Sequence, residues 1–172
     1  MNTNFQQTTT SSKKLNIFYL LMNISFLCIL PAACVAAEVL KENILLHWAL
    51  VAKWFIFWAV GMRLFTAGIK QTSDPEFTAR EIFRFTSRES FVVIRELGFA
   101  NIALGTMGIL SVINDHWRLL TAVTTCIFFG LAALQHFSKR PDSVNEMIAL
   151  FYDTIVFVVL LLFSIFSFPY LT

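Results

Sequence analysis

Residues 146–168 read EMIALFYDTIVFVVLLLFSIFSF. At 1.5 Å per residue a helix of this length crosses the ~30 Å hydrocarbon core of a bilayer. Yet the run carries Glu146 and Asp153, seven residues apart and so nearly two whole turns, which points both carboxylates the same way. Ionisable groups in hydrocarbon cost several kcal/mol unless they pair or face a polar cavity. The stretch therefore assigns the chain to the membrane and raises the question of what its carboxylates meet.

Working outward, four more runs have the same character: residues 15–37, 48–69, 90–113 and 119–137. Of the 172 residues 57% are hydrophobic and 14% charged, with 19 Phe and 4 Trp, and the mean hydropathy is +0.69. That composition excludes an ordinary soluble domain. A net charge of +2 without an Arg/Lys block excludes nucleic acid as a partner. Cys28, Cys34 and Cys126 lie in apolar runs with no C-x-x-C pair, which suits inert thiols rather than a zinc site or a disulfide framework. The expected fold is all-α: a polytopic transmembrane bundle with a four-helix core over 48–168 and an added N-terminal transmembrane helix over 15–39. Residues 1–14, polar and ending in Lys13-Lys14, read as a disordered cytosolic tail. A cleavable signal peptide is the rival reading of the first span, because Val35-Ala36-Ala37 offers small residues to a peptidase. Its length favours an uncleaved anchor.

Between the second and third spans, Thr78-Ala79-Arg80-Glu81 has capping-box spacing and Asp74-Pro75 is a competing helix start. Arg80, Arg84 and Arg88 then make one basic stripe opposite Ala79, Ile82, Phe83 and Phe85. Two readings of 77–89 stand: an amphipathic helix in the membrane surface, or a solvated extension of the third span. Trp48, Trp54 and Trp58 are expected at the interface. If five spans alternate, Lys13/Lys14, Lys70/Arg80/Arg84/Arg88 and Lys139/Arg140 share one side, and Lys41, Arg118 and Lys53 fall opposite. The positive-inside rule then puts the N-terminus in the cytosol and the C-terminus outside, across an inner membrane.

With that topology Arg63, Arg95, Glu96, Asn101, His136, Glu146 and Asp153 come to the cytosolic half of the bundle, and they form the candidate binding cluster. Arg63 shares its side with Ala52, Ala59 and Ala67, His136 with Ala132, Thr125 and Ala122, and Asp153 with Ala149, Ser164 and Ser167. Small and hydroxylic residues mark helix contacts in membranes. The third span has two such faces, Gly98/Asn101/Gly105/Gly108 and Glu96/Ala100/Ala103, which places it at the bundle centre. The plain readings stand beside the functional one. Ser143-Val144-Asn145-Glu146 is itself a capping box, His136 suits a helix C-terminus, and Arg–carboxylate pairs can simply lock packing. The spacing matches no metal-ligand motif, nucleophile–base pair or phosphate loop, and the sequence identifies no cofactor.

Two stretches, Gly61-Met62-Arg63-Leu64-Phe65-Thr66-Ala67-Gly68-Ile69-Lys70 and Glu96-Leu97-Gly98-Phe99-Ala100-Asn101-Ile102-Ala103-Leu104-Gly105, resemble the DoxX-like group of small four-helix bacterial membrane proteins. The resemblance covers about residues 48 to 168 and makes the first span an addition. It implies an association with membrane redox systems, including thiosulfate–quinone oxidoreduction, although this chain carries no redox-active cysteine motif. Three functions follow as expectations. The first is a non-catalytic membrane module that binds a small polar or anionic ligand or supports a partner complex. The second is a quinone-linked oxidoreductase subunit. The third is a proton-coupled transporter working as an oligomer. The bilayer is a partner in each, with a membrane complex or a second copy beside it.

Overall fold

A computed structural model describes residues 15–83, 85–141 and 143–167. Among them five helices are long and apolar enough to cross a membrane: α1 (Ile17–Glu42), α2 (Trp48–Ser73), α3 (Ser90–Leu110), α4 (Asp115–Lys139) and α5 (Val144–Ser167). The protein is a multi-pass membrane protein, all-α over the described residues. Local chemistry sets the ends. Asn16 Oδ1 accepts from Tyr19 N–H at 2.9 Å to open α1, and Asn114 Oδ1 accepts from His116 N–H at 3.0 Å to open α4. Ser143 Oγ accepts from Glu146 N–H at 3.1 Å, so that half of the expected capping box forms. Asn43 ends α1 in the left-handed region, at a φ of 50°, which asparagine tolerates better than most residues.

Two helix pairs build the bundle. In the first, α2 and α3 come together backbone to backbone through Gly61 and Gly68 on one helix and Gly98, Gly105 and Gly108 on the other. In the second, α4 and α5 pack along their length. Ile56, Val60, Phe129, Val156 and Leu160 fill the space between the pairs. Only one of the two small-residue faces of α3 is packed. Gly98, Asn101, Gly105 and Gly108 are buried, whereas Glu96, Ala100 and Ala103 are exposed, so α3 flanks α2 and does not occupy the centre.

α1 belongs to the same body. Glu38 accepts two hydrogen bonds from Lys53 Nζ, both at 2.8 Å, and one from Trp54 Nε1 at 2.7 Å. Trp58 stacks on Phe26 and donates to Cys34 Sγ at 3.2 Å. At the other end of α1, Asn16 N–H donates to Asn145 Oδ1 of α5 at 3.0 Å. Trp54 and Trp58 therefore face α1 rather than the membrane interface. Trp58 lies ten residues inside α2, ~15 Å from its start, too deep for a headgroup anchor.

Two long helices are not regular throughout. Residues Ser25–Ile29 of α1 and Ile56–Met62 of α2 wind in wider turns. In α1 the wide turn leads up to Pro31, whose ring would clash with the carbonyl four residues earlier in a regular helix.

After α2 the chain forms a short helical segment, Pro75–Phe77 continuing through Thr78–Ile82, and leaves the helix there. The Asp74-Pro75 start prevails, because proline at the first helical position has its φ preset. The Asp74 carboxylate accepts from Lys70 Nζ, and that ammonium holds the carboxyl below the usual carboxylate range. Ala79 and Ile82 are buried and Arg80 is exposed, pairing with Glu76 at 2.8 Å. Ala79 and Ile82 turn inward as expected, but Phe85 is exposed, no helix spans 77–89 and α3 is not extended: Phe85 N–H bonds back to Ala79 O and Arg88 lies in the turn before Ser90. Arg84 and the 1–14 tail lie outside the described residues.

Candidate functional site

The C-terminal ends of α2 and α4 meet the N-terminal ends of α1, α3 and α5 around a cavity of about 750 Å³, closed beneath by the short segment. Arg63, Asn101, His136 and Asp153 all line it. So does Gln71, whose Oε1 accepts from Asn101 Nδ2 at 2.7 Å. Asn101 Oδ1 is buried and has no hydrogen-bond partner among the described residues.

Arg63 is held by residues of two other helices, α1 and α5. Its Nε donates to Asn23 Oδ1 at 2.9 Å, and one terminal nitrogen donates to Tyr19 Oη at 3.4 Å. The guanidinium carbon lies 5.7 Å from the Tyr19 ring centroid and 5.2 Å from that of Tyr152, within cation–π range of both. Tyr152 is fixed in turn by a 2.8 Å hydrogen bond to Ala59 O. None of the ion pairs among the described residues includes Arg63.

His136 stands between two carboxylates. Its Nδ1 is 3.9 Å from Glu146 Oε1 and its Nε2 is 3.9 Å from Asp153 Oδ2, both beyond hydrogen-bond length. Lys139 Nζ comes within 3.4 Å of the same Glu146 oxygen and donates to Phe83 O at 2.8 Å, tying the end of α4 to the segment below the cavity. Phe83 also stacks on His136, with ring centroids 6.1 Å apart. Glu146 is 1% exposed and lies just beyond the cavity wall.

Arg95 and Glu96 are not part of this constellation. Both are exposed, and no ion pair or hydrogen bond of their side chains occurs among the described residues. The physical reason is helical phase. Ile94, Gly98 and Asn101 face inward, and the two positions after Ile94 are turned by about 100° and 200° from it. Five and six residues into α3, the two side chains are close enough to the helix end to extend their charges toward the headgroups. Tyr19, Asn23, Gln71 and Tyr152 are site residues that the sequence reading passed over. A lone asparagine in the middle of an apolar run was the available signal for Asn23, because buried amides in membranes mark helix contacts.

Chemically, the arrangement offers an oriented guanidinium, an amide pair with a free acceptor and a histidine between carboxylates, all facing one cavity. No group of three His, Cys, Asp or Glu side chains converges as metal ligands among the described residues. Over residues 15–168 the chain matches the family of unknown function DUF6790, and it belongs to that family. No curated protein and no solved structure matches it.

Proposed function

We propose that the protein is a non-catalytic inner-membrane module whose cavity binds a small polar or anionic ligand, alone or in support of a membrane complex. The observation that carries this reading is Arg63, a guanidinium bound to neutral partners only, facing a cavity large enough for a ligand. A purely structural arginine in a membrane bundle is expected to pair with a carboxylate. Asp153 lines the same cavity within electrostatic reach of Arg63, but not at ion-pair distance. The proposed orientation has the cavity in the cytosolic half, N-terminus inside and C-terminus outside. It is supported by Lys70, Arg80, Arg88, Lys139 and Arg140, which all fall at the cavity end. A reporter fused after Arg140 should be active only in the cytosol and one fused after Thr172 only outside; the reverse pattern refutes the orientation.

The test of binding is native mass spectrometry of protein released from mild detergent, with Arg63→Gln and Asp153→Asn alongside the parent. The ligand reading expects a co-purifying small molecule that both variants lose while remaining folded. Large losses of stability in the single variants, mostly recovered in the double variant and with no ligand in any, would show a packing lock instead.

Two alternatives each rest on a specific feature. Tyr19, Phe77, Phe83, Phe128 and Phe129 give the cavity an aromatic lining that suits a quinone, the reading that the DoxX-like resemblance also favours. Cofactor absorbance in the purified protein would support it. The placement of His136 between Glu146 and Asp153 suits a proton relay, and pH-dependent substrate flux in proteoliposomes would support a transporter.

A further inference from the structure

We infer that the ligand of this cavity is a membrane-borne amphiphile, a long apolar chain with a compact anionic head, which enters sideways between α3 and α4. The inference rests on the ligand-binding reading above and specifies its ligand class. Three observations carry it.

The first is the mouth. Val93 of α3 and Leu131 of α4 line the cavity, yet they are 61% and 63% exposed. The same side chains thus form both the cavity wall and the outer, lipid-facing surface. Leu131 lies eight residues, ~12 Å, inside the end of α4, well within a spanning helix. Exposed Lys70 and Gln135 also line the cavity at its polar end, but a ligand already dissolved in the bilayer meets the apolar rim of Val93 and Leu131 directly. The two helices are joined at their far ends by residues 111–114, where Arg118 of α4 bonds Ser111 O, and the cavity lies between them at the near end.

The second is polarity. Leu97, Phe128 and Leu131 present apolar surface near the rim, and Arg63, Gln71, Asn101 and Asp153 present polar surface elsewhere in the wall. A chain-and-head molecule satisfies both parts. A small polar solute would leave the apolar part uncovered.

The third is charge. Glu146 has Lys139 at 3.4 Å, and Asp153 has His136 at 3.9 Å, so each carboxylate has a cationic or protonable neighbour. Arg63 hydrogen-bonds and stacks only on tyrosine rings and neutral oxygens, and Asp153, though within electrostatic reach of it, stands beyond ion-pair distance, which leaves the guanidinium able to receive an anionic head. Asn101 Oδ1 can accept from a donor on that head.

The test is equilibrium binding of radiolabelled palmitate and of hexadecyl phosphate to the full chain in nanodiscs. Butyrate and inorganic phosphate serve as head-only competitors, and hexadecanol as the chain-only competitor. Saturable binding of either amphiphile is expected, with all three competitors weaker by about tenfold or more, each tenfold being ~1.4 kcal/mol. Arg63→Gln should weaken binding to the level of hexadecanol. Because that variant can fail to fold, Val93→Trp and Leu131→Trp are measured too; at these exposed positions Tm should hold while amphiphile association slows by roughly tenfold. If butyrate or phosphate competes as well as the amphiphile, the inference falls and the binding site stands. Hexadecanol competing equally refutes the anionic head. Unchanged association in both rim variants refutes the sideways entry. Binding of none of these probes overturns the inference, while a native ligand seen in the mass spectrum keeps the site reading.

Discussion

Gly105→Ala should destabilise the protein, although alanine is the better helix former. A Cβ on Gly105 would stand 2.8 Å from Gly61 O and 2.8 Å from Phe65 Cα, about 0.6 Å inside the 3.4 Å at which ordinary contact begins. Both obstacles are backbone, so α2 and α3 must separate. Separation also loosens the contacts at Gly98 and Gly108 on the same face. Overpacking of this kind costs ~1–3 kcal/mol, against a propensity gain of ~1 kcal/mol for Gly→Ala. Because two backbones must move apart and neighbouring contacts loosen with them, the cost lies in the upper half of that range, about 2–3 kcal/mol, and the net loss is roughly 1–2 kcal/mol, or about 2–8 °C in Tm for a chain of this size. Gly130→Ala is the control. There the new Cβ meets only the ring of Phe157, at 2.8 and 2.9 Å, and a side chain can turn away. Thermal unfolding of the two variants in one detergent separates the effects. Gly105→Leu, which adds a branched chain to the same clash, should yield no folded protein. If Gly105→Ala raises Tm as much as Gly130→Ala does, packing at this interface is not limited by backbone approach and the reasoning fails.

Glu38→Gln should cost about 1.5–3 kcal/mol, because it weakens charge-assisted hydrogen bonds to Lys53 and Trp54, and a Glu38→Gln/Lys53→Met double variant should recover part of the loss in thermal unfolding. Intact-mass measurement of the purified protein should find the first span present. A mature chain beginning after Ala37 would lack Tyr19 and Asn23, and with them the hydrogen-bonding partners of Arg63. Arg95→Gln and Glu96→Gln should each change stability by no more than about 0.5 kcal/mol, as exposed positions do. A loss several times larger would show that another chain or a lipid headgroup meets them.

The spanning helices were legible because bilayer thickness dictates a length, and length together with apolarity is visible in any window of sequence. The expected spans and the helices agree to within five residues at every end. That Arg63, His136 and Asp153 share one level of the bundle was legible for the same reason, since rise per residue converts position into height along a helix. Rotation was harder to read. Around Arg95 and Glu96, α3 carries small or apolar residues on every side, so no polar stripe marks the inward face. What decides it is the match of Gly98 and Gly105 to Gly61 and Gly68 on another helix, which one sequence does not reveal. The part played by α1 was hidden similarly. Glu38 and Lys53 look like independent charges until two helices are laid side by side, and the polar middle of α1 is a single asparagine, Asn23.

The wide turns in α2 bear on how such a chain can change over evolutionary time. At Arg63 the backbone N–H reaches back five residues to Trp58 O, the signature of about one residue accommodated beyond the regular repeat. Everything after that point is rotated by about 100° relative to an uninterrupted helix. The stretch before it can thus pack Ala52 and Ile56 into the core, while the stretch after it turns Arg63 toward the cavity and Gly68 toward α3. Loss of a single codon between positions 56 and 62 would leave a sound, apolar, membrane-spanning helix. It would also carry the guanidinium out of its pocket and the glycine off its partner in one step. Substitutions can tune this helix one residue at a time, but its length across the bulge is an all-or-none character.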